Sequence, residues 1–242
     1  MKSAVFDFLI VAAHPDDAEV QMGGTIAKMT HASLRGLIVD LCDGEPTDYA
    51  EPGIRREQAM RAAQMLGAEQ VILDQQDRFI SDTIPTCLTI ARLIRQHRPR
   101  MVFATTDACV HPDHAAVESL VSAAVFYARL KNWGRVPGGE ALADTEPWEI
   151  QRLFYPHCKM EPTWGDFGFA VDVSETYALK KKASAEYTSL FQVEQGDQLL
   201  ELYEAEDAHM GRLFGLAYAE VFKSQSPLLV TDPTVFLPAI HG

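Results

Sequence analysis

The chain has 242 residues, of which 47% are hydrophobic and 23% charged, and its formal net charge is -13 at pH 7. This length and composition predict one globular domain and not a disordered chain, and no internal repeat indicates a second domain. The acidic excess disfavours binding to nucleic acid or to an anionic membrane surface, because both would be repelled over most of the exterior. A small-molecule partner fits this charge better.

The cysteines are widely separated and form no C-x-x-C pair, which predicts free thiols in the reducing environment of the cytoplasm; they are Cys42, Cys87, Cys109 and Cys158. Asp7 interrupts the apolar run at the amino terminus, and no small-residue cleavage site follows. We therefore interpret this run as a first core strand and not as a signal peptide. No apolar run approaches the length of about 18 residues that spans a bilayer.

Short apolar strands alternate with amphipathic helices along the first half of the chain. The sequence predicts strands at 4–12, 37–42, 71–73 and 101–104, and helices at 24–33, 55–66, 84–97 and 115–128. This alternation calls for parallel strands with right-handed crossovers, covered on both faces by helices. We predict the α/β class, a Rossmann-like three-layer sandwich with a mostly parallel sheet.

Patterns in the second half are weaker. The sequence predicts a surface connection without regular structure at 133–139 and strands at 150–155 and 167–173. It also predicts two helices, at 174–190 and 197–222. The alternation within 167–173 is typical of a half-exposed edge strand. We predict a single domain over 1–223 and an extended arm over 224–242, which packs on its own domain or on a neighbouring subunit.

Potential metal ligands follow two of the predicted strands. A His-Pro-Asp-Asp motif begins at His14, after the first strand, and a His-x-x-His pair, His111 and His114, follows the fourth. Because parallel strands end at one edge of the sheet, we expect the loops around 14–19, 43–53, 74–82 and 105–114 to converge there. Two histidines and a carboxylate are the ligand set of a catalytic zinc site that leaves one position open for water.

The spacing of residues in the first motif indicates different roles for its two carboxylates. His14 and Asp17 are three residues apart, which on a helical turn places them close enough to share a cation. Asp16 and Asp17 are adjacent, so their side chains diverge, and one carboxylate is left to accept a proton from water. The alternative is structural: either aspartate could cap the following helix, with the histidines on the surface.

The second motif supplies a further imidazole. Of His111 and His114, the one that does not bind metal could stabilise an oxyanion when protonated, or donate a proton to the leaving group. Asp113 could hold that imidazole charged and oriented. Together the two motifs predict metal-assisted hydrolysis of an amide or ester.

At this point the residues resemble a known family. Residues 13–19, the run Gly23-Gly24-Thr25-Ile26-Ala27 and the later His111-Pro112-Asp113-His114 look like the PIG-L/LmbE family of zinc-dependent N-acetylglucosamine deacetylases. Arg55 and the pair Asp77-Arg78 resemble an arginine and a substrate loop of that family. Residues 215–222 are similar to the closing helix of its bacillithiol-biosynthesis branch. The resemblance extends from about residue 4 to about residue 230.

The resemblance implies a role for each of these side chains. The metal ligands would be His14, Asp17 and His114; Asp16 would be the general base; His111 would be the charged stabiliser or acid, with Asp113 behind it; and Arg55 and Asp77 would contact the sugar. The metal would be Zn2+, although Fe2+, Mn2+ or Co2+ could occupy the same ligands.

We therefore predict a cytoplasmic, zinc-dependent deacetylase of an N-acetylated amino sugar or glycoside, forming a homo-oligomer, either a trimer or a hexamer. One alternative is an amidase acting on a larger thiol conjugate or acylated glycoside. Another is a metal-binding oligomeric protein without turnover. Gln21 stands where the resembled branch usually has glycine, and Cys109-Val110 where it often has Asp-Arg. These departures put the identity of the substrate in doubt, and above all an anionic aglycone.

Overall fold

The computed structural model describes residues 5–46, 53–106, 111–159, 168–191 and 196–232. Within them one seven-stranded sheet has the order β3-β2-β1-β4-β5-β7-β6. The strands are β1 (Phe8–Ala12), β2 (Gly36–Cys42), β3 (Glu69–Gln75), β4 (Met101–Ala104), β5 (Arg152–Pro156), β6 (Phe169–Asp172) and β7 (Ala219–Ser224). The first five are parallel, and β7 runs antiparallel between β5 and β6. The expected mostly parallel sheet is confirmed, with β6 at its edge.

Helices cover both faces of this sheet. They are α1 (Asp17–His31), α2 (Ile54–Met65), α3 (Ile84–His97), α4 (Pro112–Arg129), α5 (Glu140–Ala143), α6 (Tyr177–Ser184), α7 (Thr188–Phe191) and α8 (Gly196–Leu213). Alternate residues of β1 point to opposite faces, as strand geometry requires. Leu9 and Val11 pack in a core with α3 and α4, whereas Phe8 and Ile10 pack in a second core with α1 and α2. The result is the three-layer α/β sandwich expected from the sequence.

Strand order creates a crevice between β1 and β4. The chain runs from β1 outward to β2 and β3, then returns to place β4 on the other side of β1. In open α/β sheets a ligand binds where the strand order reverses in this way, beyond the carboxyl ends of the strands. His14 follows β1, and His111 follows β4. The topology therefore brings the two histidine motifs to the same crevice.

One expectation about the second half is wrong. The predicted helix over 197–222 ends at Leu213, and its last part forms the strand β7. Gly215 has a φ of 74°, a left-handed conformation that stops a helix and favours glycine. Tyr218 to Phe222 then alternate between the two faces, a period of two that belongs to a strand. The segment that resembled a closing helix thus forms part of the sheet.

Smaller differences concern the boundaries of helices. Residues 174–190 form two helices, α6 and α7, and not one. The region around 133–139 contains a short 3₁₀ helix at Trp133–Arg135 and is followed by α5. Helix α1 begins at Asp17, not near Gly24, but non-helical angles at Met22 (φ -146°, ψ 23°) break it into two parts. The second part begins close to the predicted start.

A distant carboxylate caps this second part of α1. Glu220 on β7 accepts the backbone N–H groups of Gly24 (3.0 Å) and Thr25 (2.7 Å). These are donors that a helix start leaves unpaired, and the negative charge suits the positive end of the helix dipole. A side chain at position 24 would collide with Val173 and crowd Glu220, with a Cβ only 2.7 Å and 3.2 Å from their atoms. Gly24 therefore permits this close approach.

Glu220 also belongs to a buried network of alternating charges. Its carboxylate accepts from Lys180 Nζ at 2.7 Å, and Lys180 donates to Asp207 at 2.7 Å. Lys159 donates to the other oxygen of Asp207. Two cations and two anions compensate one another, as buried charges require. The network ties helix α1 to α6, α8 and β7.

No helix in the described ranges is long and apolar enough to cross a membrane. The described part of the arm leaves Leu228, Leu229 and Val230 exposed, with Leu229 at 78% of its full exposure. Residues 233–242 lie outside the described residues. Packing of the arm on its own domain or on a second subunit stays a prediction.

We expect Glu220→Ala to lower the free energy of unfolding by about 3–5 kcal/mol, because it removes one partner from a buried ion pair and uncaps a helix start. Urea unfolding measures this change. Glu69, which pairs with Arg35 on the surface, provides the matched control: Glu69→Ala should cost less than about 1 kcal/mol. Equal losses in the two variants would contradict the role given to Glu220.

Candidate active site

A cleft opens at the carboxyl edge of the sheet, with a volume of about 410 Å³. Residues that follow β1, β3 and β4 line it, and Arg55 reaches it from the start of α2, as expected for parallel strands. Parts of the predicted loops 43–53 and 105–114 lie outside the described residues. Seven of the eight predicted site residues line the cleft, and the eighth, Asp113, lies buried behind it. The lining residues are His14, Asp16, Asp17, Val20, Gln21, Arg55, Asp77, Arg78, His111, His114, Cys158, Lys159, Leu190 and Tyr203.

The imidazole of His14 lies among three carboxylates. Its Nδ1 is 3.5 Å from Asp17 Oδ2, and its Nε2 is 3.1 Å from both Asp77 Oδ1 and Asp113 Oδ2. Burial alone lowers the pKa of His14, but the hydrogen bonds with Asp17 and Asp77 outweigh burial and raise this pKa to about 10. The surroundings of His14 therefore favour a positive charge at this point.

Asp17 joins His14 to the second histidine motif. Its Oδ1 is 3.1 Å from His114 Nε2, while its Oδ2 accepts the backbone N–H of His14 at 2.9 Å. Burial would raise the pKa of Asp17, but the two imidazoles outweigh it and hold this pKa well below its usual range. A ring nitrogen from each of His14, His111 and His114 also lies within 4.8 Å of the other two.

This donor set suits a divalent cation. Imidazole nitrogens and a carboxylate oxygen converge from two loops, and they are the ligand types that zinc takes in catalytic sites. The acidic surroundings of His14 already favour a positive charge. The residues present therefore fit the metal expected from the sequence, with His14, Asp17 and His114 close enough to hold it.

Asp16 has an unusual backbone and a cationic partner. Its φ of 109° is rare for a residue other than glycine and indicates local strain of the kind that functional sites retain. Burial raises the pKa of Asp16 to about 7, against the opposing charge of Arg55. The Arg55 guanidinium donates to Asp16 Oδ1 at 2.9 Å and to the carbonyl oxygens of Pro15 and Gly44. Arg55 thus fixes the direction of the Asp16 carboxylate.

Gly44 makes room for this arginine. A Cβ at position 44 would lie 2.1 Å from an Arg55 guanidinium nitrogen, and the φ of 69° also favours glycine there. The structure gives Arg55 a role that the sequence did not suggest, the support of Asp16; its expected contact with a sugar stays a prediction. Similarly, the structure places Asp77 against His14, where the sequence suggested a sugar contact.

The carboxylate of Asp113 contacts the first histidine motif, whereas the sequence suggested that it orients an imidazole of the second. Its carboxylate Oδ2 contacts His14 Nε2 and accepts the backbone N–H of Arg78 at 2.8 Å. It meets His111 through the backbone, because the N–H of Asp113 donates to His111 Nδ1 at 3.3 Å. Burial, with the charges of His14 and His114, lowers the pKa of His111. These contacts favour a neutral His111 and not the charged form that the sequence suggested.

Some residues of the site could not be recognised from the sequence. Cys42, at the end of β2, is buried and donates its thiol to the Ala13 carbonyl at 3.3 Å. Lys159 and Tyr203 line the cleft from elements in the second half of the chain. The only available signal for Cys42 was its position at the end of an apolar strand, which many core cysteines share.

Comparison with known proteins assigns the chain to a family. Residues 9–125 match the PIG-L family, described as GlcNAc-PI de-N-acetylase. The diacetylchitobiose deacetylase of Thermococcus kodakarensis is 30% identical over 226 residues, which cover 88% of this chain and 80% of that protein. Neither match bears on the bacillithiol-biosynthesis branch, so membership of that branch stays a prediction.

Solved structures share the fold. The conserved protein TT1542 of Thermus thermophilus superposes with a TM-score of 0.83 at 33% identity, covering 93% of this chain and 97% of that chain. The 4-carboxy-2-hydroxymuconate hydratase of Pseudomonas putida superposes with a TM-score of 0.76 at 21% identity, covering 96% and 99%. At this lower identity the likeness concerns the fold alone. With the match over residues 9–125 and the relative from Thermococcus kodakarensis, the chain belongs to the PIG-L family of deacetylases.

Proposed function

We propose that this deacetylase is a zinc-dependent hydrolase that removes the acetyl group from an N-acetylglucosamine-type sugar or glycoside. One observation carries the proposal: His14, Asp17 and His114 converge at the crevice between β1 and β4, with the carboxylate of Asp16 beside them. A site of this kind holds a cation and keeps a proton acceptor next to it, which is what amide hydrolysis requires.

In this proposal His14, Asp17 and His114 hold the zinc ion. When bound, zinc supplies a positive charge that lowers the pKa of water to about 7 and polarises a carbonyl group. Ligands of this type also accept Fe2+, Mn2+ or Co2+, so metal availability decides which ion is native. Asp77 and Asp113 support this arrangement because their carboxylates accept a hydrogen bond from the Nε2–H of His14. This contact leaves Nδ1 directed towards Asp17.

Asp16 moves the proton of the reaction. It accepts a proton from the water that attacks the acetyl carbonyl carbon, and it later returns that proton to the leaving nitrogen as the carbon–nitrogen bond breaks. The products are acetate and the free amine. Arg55 holds Asp16 in place through its 2.9 Å hydrogen bond, so the carboxylate needs little reorientation during the reaction.

His111 stabilises the oxyanion that forms on the acetyl oxygen. Its Nδ1 accepts from the backbone N–H of Asp113, which leaves Nε2 to carry the ring proton of a neutral imidazole. A neutral imidazole N–H can donate a hydrogen bond to developing negative charge. This role depends on position and does not need a charged ring.

The cleft and the relatives together indicate the class of substrate. The relative from Thermococcus kodakarensis is a diacetylchitobiose deacetylase, so diacetylchitobiose and N-acetylglucosamine are the first compounds to test. Arg78 and Tyr203 line the same cleft and can contact a sugar or its aglycone. A panel of N-acyl substrates that differ in acyl size separates a deacetylase from an amidase for larger conjugates.

Compartment and assembly extend this proposal. Cys42, Cys87 and Cys158 form no disulfide among the described residues, which is in keeping with a cytoplasmic protein. The exposed side chains of 228–230 offer apolar surface that a trimer or hexamer would cover.

We expect Asp16→Asn to reduce kcat by about 10²–10⁴-fold while metal content stays at the wild-type level, because the amide cannot accept a proton and is not among the metal ligands. Asparagine tolerates a positive φ better than most residues, which spares the backbone of the motif. Acetate release and elemental analysis measure the two effects. Asp43→Asn, at a surface carboxylate paired with Arg56, serves as the control. Full activity of Asp16→Asn would refute the assigned base.

The position of Asp113 leads to a separate prediction. Since its carboxylate contacts His14, Asp113→Asn should weaken metal affinity by about 10–100-fold, as is usual when the hydrogen-bond partner of a ligating histidine is changed. Competition with a chelator measures this affinity. Asp82→Asn, at a surface residue bonded to Ser119, is the matched control. An unchanged affinity would instead support the arrangement expected from the sequence, in which Asp113 acts on His111.

A further inference from the structure

A second set of metal-binding atoms lies on the other side of His14. One ligand atom from each of His14, Cys42 and Asp77 lies within 4.8 Å of the other two, and all three residues are buried. His14 presents Nε2 to this side, 3.1 Å from Asp77 Oδ1. Its Nδ1 faces Asp17 and the ligands of the proposed zinc site. One imidazole thus has a potential metal position on each of its nitrogens.

The chemistry of this second set differs from that of the first. A thiol, an imidazole and a carboxylate form a softer donor set, which suits Cd2+ or Zn2+ better than Mg2+ or Ca2+. Zinc bonds of about 2.0–2.3 Å place tetrahedral ligand atoms roughly 3.3–3.8 Å apart. His14 Nε2 and Asp77 Oδ1, 3.1 Å apart, are near that spacing, and the Cys42 sulfur lies within 4.8 Å of a ligand atom of each. Asp113 Oδ2, 3.1 Å from His14 Nε2, adds an oxygen on the same side.

Cys42 has no part in the proposed reaction. It lies at the end of β2 with no exposed surface, and its thiol donates to the Ala13 carbonyl. Two other buried cysteines, Cys87 and Cys158, lack such neighbours among the described residues, since neither belongs to a group of three potential ligands. Cys42 is therefore distinguished by its surroundings and not by its burial.

We propose that Cys42, His14 and Asp77 form a second, inhibitory metal position for a thiophilic divalent cation such as Cd2+, which competes with the proposed zinc ion for His14. Binding forms one bond from the ion to the Cys42 sulfur, one to His14 Nε2 and one to an Asp77 oxygen. The thiol proton and the Nε2 proton leave to solvent, and Nδ1 keeps its proton and donates to Asp17. No oxidant or reductant is involved.

Occupation of this position excludes use of the other. A His14 ring that binds through Nε2 and keeps its Nδ1 proton cannot also serve the proposed zinc site through Nδ1. A cation at the second position therefore inhibits the enzyme without touching Asp16 or His111. This consequence rests on the proposed function, whereas the existence of the second position does not.

Binding of Cd2+ to the full-length, chelator-treated protein tests the position directly. We expect wild-type protein to develop the ultraviolet absorption band of a thiolate bound to cadmium, and Cys42→Ser to lose it. Cys87→Ser and Cys158→Ser are matched controls that keep the band, as is Cys109→Ser, at a cysteine outside the described residues. Persistence of the band in Cys42→Ser, or its loss in any other single variant, would overturn the proposal.

A second variant covers failure of Cys42→Ser to fold, which circular dichroism would reveal. Asp77→Asn keeps the thiol but removes the negative charge, and we expect its apparent Cd2+ affinity, read from the same band, to fall at least tenfold. An unchanged affinity would exclude Asp77 as a ligand and overturn the site as proposed.

Inhibition is measured separately, by acetate release from the zinc-loaded enzyme in the presence of increasing Cd2+. The wild-type enzyme should lose activity as Cd2+ competes for His14, and Cys42→Ser should need at least tenfold more Cd2+ for the same loss. Equal inhibition of both would show that cadmium acts elsewhere and would overturn the inhibitory role. If no acetate is released under any condition, the proposed function fails, while the cadmium band still decides whether the second position exists.

Discussion

The placement of one imidazole among carboxylates determines most of what this structure can do. His14 contacts Asp17 through one nitrogen and both Asp77 and Asp113 through the other. Each carboxylate comes from a different loop, so the negative charges assemble only when the sheet is formed. Charges gathered in this way repel one another unless a cation or a proton lies between them. The loops at this edge are therefore held in an arrangement that a bound cation would stabilise.

Much of this architecture was accessible from the sequence. Apolar runs that alternate with segments of helical periodicity indicated the parallel sheet. The rule that parallel strands end at one edge of a sheet predicted that His14 and His114 lie close together. β7 was not recognised because only residues 214–218 separate it from α8, and the apolar residues on both sides of Gly215 favour extension of a helix. Gly215 and the alternation after it were the signals for a strand.

Contacts within the site were harder to foresee, because they depend on the backbone of loops. Asp113 follows His111 by two residues, and proximity in sequence suggested that it supports that ring. In the structure the carboxylate turns towards His14, where the N–H of Arg78 holds it. Arg78 itself has a left-handed conformation, with a φ of 67°. No pattern of residue types reports such an angle, so the partner of Asp113 could not be derived from spacing.

Glu220 links two segments that are far apart in the sequence, which bears on how the protein is made. The second part of α1, directly after the segment that carries Asp17, is capped by a carboxylate from β7, and the intervening residues include most of the chain. During synthesis the amino-terminal motif emerges first, but its helix lacks this cap until the last strand has entered the sheet. A nascent chain would thus present the motif of the proposed metal ligands before helix α1 is fully capped. The arrangement around His14 and Asp17 would reach its final form only after β7 has entered the sheet.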